Sequence, residues 1–315
     1  LLFFTFFAVD AMYIQSIVDS EEKSLQDFAF FKNSTGQNTV INSRSTFCSW
    51  PTHSDRLSLK FSFVGTEAYY IRHRKVTVEK DRCLVVNAGQ LYSSSIQSTE
   101  WVHGLAIYFD PQLLQVAADT GSDEVLLANP IERRGSSVWF YEDELLATPR
   151  LRHQLTRLRQ QLEARPMTEL ELEEQLYHIL LNLLLTHRRA VHYTAARLSA
   201  IKATTRLEIY RRLHLAREFI EEQATEALTL DAIASASMLS KNHLLRHFRE
   251  LFSYSPHQYV TSVRLAKACH QLTQSELPVQ DISLNAGFES PSSFGRLFKS
   301  VFTLSPQQYR LQHAG

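Results

Sequence analysis

The last third of the chain carries one pattern twice. Leu230-Asp231-Ala232-Ile233-Ala234 is echoed by Val279-Gln280-Asp281-Ile282-Ser283 at an offset of 49. Ser240, Arg246, Phe248, Phe252, Ser255, Pro256, Gln258 and Tyr259 then return as Ser290, Arg296, Phe298, Phe302, Ser305, Pro306, Gln308 and Tyr309 at an offset of 50. The extra residue belongs in the short turn between the blocks, where Met238-Leu239 stands against Gly287-Phe288-Glu289. Each copy reads as a short helix, a tight turn, a second helix and a Ser-Pro opening to another. Serine as N-cap satisfies an orphan backbone donor, and proline at the first helical position presets φ. Two copies are too few for a solenoid, which takes three or more units to bury its faces. A pair of helix-turn-helix units is the reading that remains.

The faces of the second helices sharpen it. In the first unit Leu244, Phe248 and Leu251 share a face at i, i+4, i+7, and Asn242, Arg246 and Arg249 share the opposite one. In the second, Phe294, Phe298 and Val301 point inward while Ser292, Arg296 and Lys299 point outward. A helix entering a major groove needs apolar anchors behind and Arg, Lys, Asn or Ser towards base edges and phosphates. Arginine suits guanine because its fork donates to O6 and N7 together. Exposed helices often carry arginine for solvation alone, but arginine at one register in both copies argues for a task. The chain as a whole is neutral, with 33 Lys+Arg against 33 Asp+Glu, so any surface for a polyanion must be local. From residue 228 onward eight basic side chains face five acidic ones, a balance of +3. Four of the eight lie on the two outward faces, and Arg264 and Lys267 lie on the helix that links them.

Upstream the texture differs. Hydrophobic residues make up 44% of 315, enough for about two domains with their own cores. Between 44 and 110, Leu57, Leu59, Phe61 and Phe63 alternate with Ser58, Lys60 and Ser62, the mark of a half-buried strand. Further strand-like runs occupy 68–72, 76–79, 83–87 and 102–109, and many short strands at such spacing read as a sandwich or barrel. From Pro111 onward the pattern is helical. Leu151, Leu155, Leu158 and Leu162 form one helical stripe, and Leu172, Leu176, Ile179 and Leu183 with Leu180 and Leu184 form another. The second is apolar over more than one face, which fits burial against its own barrel and against a partner helix, as in a homodimer. Glu169, Glu171, Glu173 and Glu174 open that helix, where the macrodipole favours acids. The expected plan is a domain of strands and dimerisation helices over 1–190, a linker over 191–212 and a DNA-binding domain over 213–315.

The chain opens on nine apolar-rich residues stopped by Asp10, far short of the roughly 20 that a membrane span needs. The stretch has no basic flank and no clear small-residue cleavage site, which argues against a signal peptide. It reads either as translated upstream sequence or a fragment edge, with Met12 as a possible true start, or as a buried first strand. Cys48, Cys83 and Cys269 are sparse, odd in number and form no CxxC, which argues for a reducing, cytoplasmic setting.

At the repeat the residues resemble a known family. Ser240-Lys241-Asn242-His243-Leu244-Leu245-Arg246-His247-Phe248-Arg249 resembles the first recognition helix of the AraC/XylS bacterial transcription regulators. Arg264-Leu265-Ala266-Lys267-Ala268-Cys269-His270-Gln271-Leu272 resembles their linking helix, and 282–310 their C-terminal signature. The likeness spans 213–310. It departs at Ser253 and Thr303, which replace the glycine usual before each Ser-Pro, and Pro291, Ser293 and Gly295 suggest a second helix that reads fewer bases. The resemblance implies that Asn242, Leu245 and Arg246 meet bases in one major groove and Ser292, Ser293 and Arg296 in the next, with Arg249 and Lys299 on phosphates. It implies double-stranded DNA and RNA polymerase as partners, a homodimer, a role as activator and no cofactor. The segments 63–70, 84–92 and 107–111 are similar to the family's cupin-like β-barrel, which implies a small-molecule effector in the barrel mouth, with Tyr69, Tyr70, Tyr92, Trp101 and Tyr108 as candidate lining. The fold expected is therefore α+β: a cupin-like β-barrel with flanking helices, then an all-α domain of two helix-turn-helix units and a linking helix.

The competing class is a cupin-type metal enzyme with a DNA-binding tail. Such sites use closely spaced His and carboxylate ligands. Here His53, His73 and His103 stand apart with no H-x-H pair, and there is no G-x-S-x-G, P-loop or G-x-G-x-x-G. Neither a metal nor a catalytic residue is expected.

Overall fold

Two long strands organise the N-terminal part. In the computed structural model, which describes residues 11–32, 38–71, 74–120, 139–141, 145–199 and 202–313, the chain divides into a unit of 1–71 with 75–190 and a unit of 72–74 with 191–315. The apolar stretch 1–10 lies outside the described residues. Strand β1 (Ala11–Val18) pairs in parallel with β2 (Asn38–His53), from Ala11↔Asn38 to Val18↔Ser45. Parallel neighbours need a crossover, and helix α1 (Glu21–Lys32) supplies it. The remaining strands are β3 (Ser58–Val64), β4 (Glu67–Ile71), β5 (Arg74–Val78), β6 (Arg82–Val86), β7 (Tyr92–Tyr108) and β8 (Leu145–Leu146). On one side β7 runs antiparallel to β2, from Thr39↔Tyr108 to His53↔Tyr92, with register shifts at Ser45/Phe47 and Trp50/His53. On its other side β7 takes β3 along its C-terminal half and β4 along its N-terminal half.

The sheet is open. Its path runs β1-β2-β7-β3-β6-β8, and among the described residues its two ends do not pair with each other. The expected cupin-like β-barrel is thereby corrected to an eight-stranded open sheet. Alternation reports which face of a strand is buried and carries no information on whether first and last strands meet. Here the first strand is a parallel addition outside the stretch that reads as strands, and the last has only two residues.

One face of the sheet, with Leu57, Leu59, Phe61, Val85, Leu105 and Ile107, packs on three helices. These are α2 (Pro111–Thr120), α3 (Pro149–Ala164) and α4 (Glu169–Ala195). Both leucine stripes go into this core: Leu151, Leu155 and Leu158 are fully buried, and so are Leu176, Leu180 and Leu183. Of α4's other apolar residues, Leu181 is half-buried and Leu185 exposed. Thr148 caps α3 by accepting from the Leu151 N–H at 3.2 Å. Ahead of α4, Arg165 grips Glu171 through two bonds of 2.7 and 3.0 Å, while the Thr168 and Glu171 side chains bond each other's backbone N–H groups.

The C-terminal unit is helical: α5 (Ala203–Gln223), α6 (Leu230–Ala236), α7 (Lys241–Phe252), α8 (Pro256–Gln274), α9 (Val279–Asn285), α10 (Pro291–Phe302) and α11 (Pro306–His313). Residues 191–212 hold the end of α4 and the first half of α5, where Leu207, Ile209 and Tyr210 are buried. The repeat is visible bond by bond. Ser240 and Ser290 cap α7 and α10, and Ser255–Gln258 and Ser305–Gln308 form reciprocal capping boxes. Leu239 N–H donates to Ala234 and Phe288 N–H to Ser283, so the offset of 49 persists through the turn and the extra residue is Glu289. The anchors differ from the expected set. Val301 is 53% exposed, and the third anchoring contact comes instead from the half-buried Phe252 and Phe302, which join Phe248–Tyr259 and Phe298–Tyr309.

Candidate functional site

The two recognition helices present their polar residues outward, as the register requires. Asn242, Leu245, Arg246 and Arg249 on α7 are exposed, while Leu244 and Phe248 behind them are fully buried. On α10, Ser292, Ser293, Arg296 and Lys299 are exposed, with Phe294 and Phe298 fully buried behind. Among the described residues Arg249, Arg296 and Lys299 form no ion pair, so their charges face solvent and are free to meet phosphate or base. The helix between the two units, α8, has 19 residues and is about 28 Å long.

The first unit contains a carboxylate the second lacks. Glu250 accepts from Arg246 Nε at 3.3 Å, from His247 Nδ1 at 2.8 Å, and from the Ser199 hydroxyl and N–H at 2.7 and 3.2 Å. Partial burial raises its pKa, but the bonds from Ser199 and His247 outweigh that and hold it at about 2. The corresponding position in α10 is Ser300. Two basic residues counted with the DNA-facing charge turn inward. Arg264 donates to the Ala224 and Glu226 carbonyls at 2.6 and 2.8 Å, closing the end of α5. Arg310 does the same for α8, donating to Leu272 and Leu277 at 3.3 and 2.5 Å.

Of the five candidate effector residues, Tyr69, Tyr92 and Tyr108 are buried together on one cleft of the sheet. The cleft, on the face opposite the leucine helices, is open at its mouth and has a cavity volume of about 50 Å³. Tyr70 and Trp101 stand outside it; Tyr70 lies beside Lys75, and Trp101 packs under Arg44, 5.6 Å from its ring centre. Two charged residues of the cleft escape the sequence reading, Lys60 and Glu67, along with Trp50. Lys60 is 2% exposed, its Nζ 3.8 Å from the centre of the Tyr108 ring and 3.1 Å from the Tyr92 hydroxyl. Burial pulls its pKa down to about 7, and burial pushes that of Glu67 up. Burial likewise raises all three tyrosines. The available signal was a lysine inside the alternation at 57–63.

His53 sits opposite Tyr92 and His103 opposite Arg44, eleven positions apart along β7; His73 lies outside the described residues. Among the described residues no group of three or more His, Cys, Asp or Glu is placed to hold a metal ion. No described helix is long and apolar enough to cross a membrane.

Residues 46–180 match the family described as the AraC-like ligand binding domain, and residues 233–312 match the helix-turn-helix domain. The transcriptional activator AarP of Providencia stuartii is 37% identical over 97 residues, 31% of this chain and 72% of its own length. The regulatory protein SoxS of Salmonella typhimurium is 33% identical over 93 residues, 30% of this chain and 87% of its own. The transcriptional regulator MtrA of Neisseria gonorrhoeae is 33% identical over 97 residues, but the match spans only 32% of its length.

Proposed function

Because the chain belongs to the AraC/XylS type of helix-turn-helix transcriptional regulators, we propose that it activates transcription in the cytoplasm as a homodimer whose N-terminal unit takes a small-molecule effector. It is a sequence-specific DNA-binding protein, and its family acts by binding rather than catalysis. The observation that carries the residue-level reading is the repeated exposed face of α7 and α10 over buried aromatic anchors. Asn242, Leu245 and Arg246 read bases in one groove segment, and Ser292, Ser293 and Arg296 read the next. Arg249 and Lys299, a turn further from the helix N-termini, hold phosphates. Arg246 must exchange Glu250 for a guanine edge, which its 63% exposed side chain permits.

Activation rests on likeness to AarP, described as an activator, and implies contact with RNA polymerase. Dimerisation uses Leu181 and Leu185, two of the apolar positions of α4 left outside the core, where Leu170 and Tyr193 near its ends are also exposed. The effector lies in the cleft of Tyr69, Tyr92 and Tyr108.

Selection of duplexes from a randomised pool tests the base assignments. Arg246→Ala should cost roughly 1–3 kcal/mol and relax preference at one or two base pairs. Lys299→Ala should weaken all duplexes alike and lower the salt slope by about one. Equal losses on selected and random DNA for both variants would reject the division into base and phosphate contacts.

A further inference from the structure

The cleft is lined by apolar Ile41, Trp50 and Ile96 together with two buried charges, Lys60 and Glu67. The two are not equally served. Tyr69 and Ser94 hydroxyls bond Glu67, so its carboxylate is met by donors of its own unit. Lys60 has three N–H donors to place, and the bond to Tyr92 takes one of them. Aromatic faces of Tyr108 and Tyr92 lie 3.8 and 5.1 Å from its Nζ, which favours a cation there, yet among the described residues no carboxylate lies within ion-pair distance. Glu67 and Asp55 act on Lys60 only through space, so an ammonium buried there with no directly bonded carboxylate favours an anion that enters the cleft.

We propose that the cleft takes a small organic monoanion, a carboxylate that pairs with Lys60 Nζ and lays its apolar part against Trp50 and Ile41. The inference rests on the effector reading above and names the chemistry of that site. A neutral polyhydroxyl ligand is disfavoured because Glu67, the natural acceptor for its hydroxyls, already has donors, while Lys60 has two N–H donors beyond the one that Tyr92 accepts.

Binding of the anion is tied to a proton. Near Lys60 stand Tyr92 and Tyr108 of β7, Glu67 and Tyr69 of β4, Cys48 of β2, and Asp55 and Arg56 ahead of β3. Beyond Ser16 lies Asp27 of α1, bonded to that serine. With its pKa near 7, Lys60 is mostly neutral at pH 8.5, and an arriving carboxylate must draw a proton onto it. Affinity for the acid should therefore fall as pH rises from 6.5 to 8.5.

The test is calorimetric titration of the full chain with acetate, butyrate and phenylacetate, each beside its uncharged amide, at pH 6.5, 7.5 and 8.5. At least one acid should bind ten times more tightly than its amide, with proton uptake at pH 8.5. Lys60→Met should lose this binding while melting no lower than the parent at pH 6.5, since it removes a buried charge; Lys60→Gln serves as a second variant should methionine not fold. No acid exceeding its amide, or undiminished acid binding by the Lys60 variants, would overturn the proposal. An acid that binds without altering affinity for the selected DNA would leave the site chemistry standing and remove effector control. A neutral ligand that alters DNA affinity would do the reverse.

Discussion

Thr303 and Ser253 close the two recognition helices in the left-handed region, with φ of 61° and 64°. L-residues meet their own Cβ there, and a β-branched side chain is worst placed. Thr303→Gly should therefore stabilise the C-terminal unit by about 1 kcal/mol and Ser253→Gly by less, read from urea unfolding; a loss of stability in either would contradict the strain assigned to them. Gly287 is the opposite case. Its φ is 89°, and a Cβ would stand 2.8 Å from the Thr225 Cα and carbonyl oxygen. Gly287→Ala should cost about 1–3 kcal/mol, although the equivalent Met238, at φ 55°, carries a side chain that is 53% exposed. The turn geometry is common to both copies, and only the second is pressed against a neighbouring backbone. Glu250 gives a pH signature. Its folded pKa of about 2 lies below the unfolded carboxylate range, so its contribution is complete above about pH 4.5 and vanishes as pH falls towards 2. In Glu250→Gln that part of the acid sensitivity should disappear.

Among the elements, α4 separates packing from association. Leu176 is fully buried against the sheet, so Leu176→Ala should cost roughly 2–5 kcal/mol by leaving a cavity. Leu185→Asp should leave the melting temperature nearly unchanged and shift sedimentation towards monomer; a dimer that persists would remove α4 from the interface. The helical elements were legible because their signals are local: Ser-Pro openings, stripes at 3.6 spacing and a repeat that checks itself. The strand 57–63 was legible for the same reason. The long β2 was not, since Asn42, Ser43, Arg44 and Ser45 break its alternation while pairing with β7. Sheet closure was misread because pairing between distant strands leaves no mark within either. In the cleft, three tyrosines stand out by residue type, whereas Lys60 does not, because the covering of its face depends on β1 and α1. Arg264 and Arg310 show the same limit: their charge was countable, but their direction depends on which carbonyls end α5 and α8.

At the scale of the molecule, a neutral chain places four exposed basic side chains, Arg246, Arg249, Arg296 and Lys299, on two short helices with α8 between them. The unit from 191 onward has its own cores around Phe248 and Phe298, so a fragment 191–315 should fold alone and retain sequence preference with lower affinity than the full chain. A fragment starting at 213 would cut α5 in two and should be unstable. The central claim is that α7 and α10 read separate segments of one duplex. Base preferences of Arg246→Ala and Arg296→Ala, measured on single-base variants of the selected site, test it most directly. The account predicts that the two variants lose preference at two positions about one helical turn, roughly 10 base pairs, apart. Loss at the same position in both, or at none in either, would contradict it.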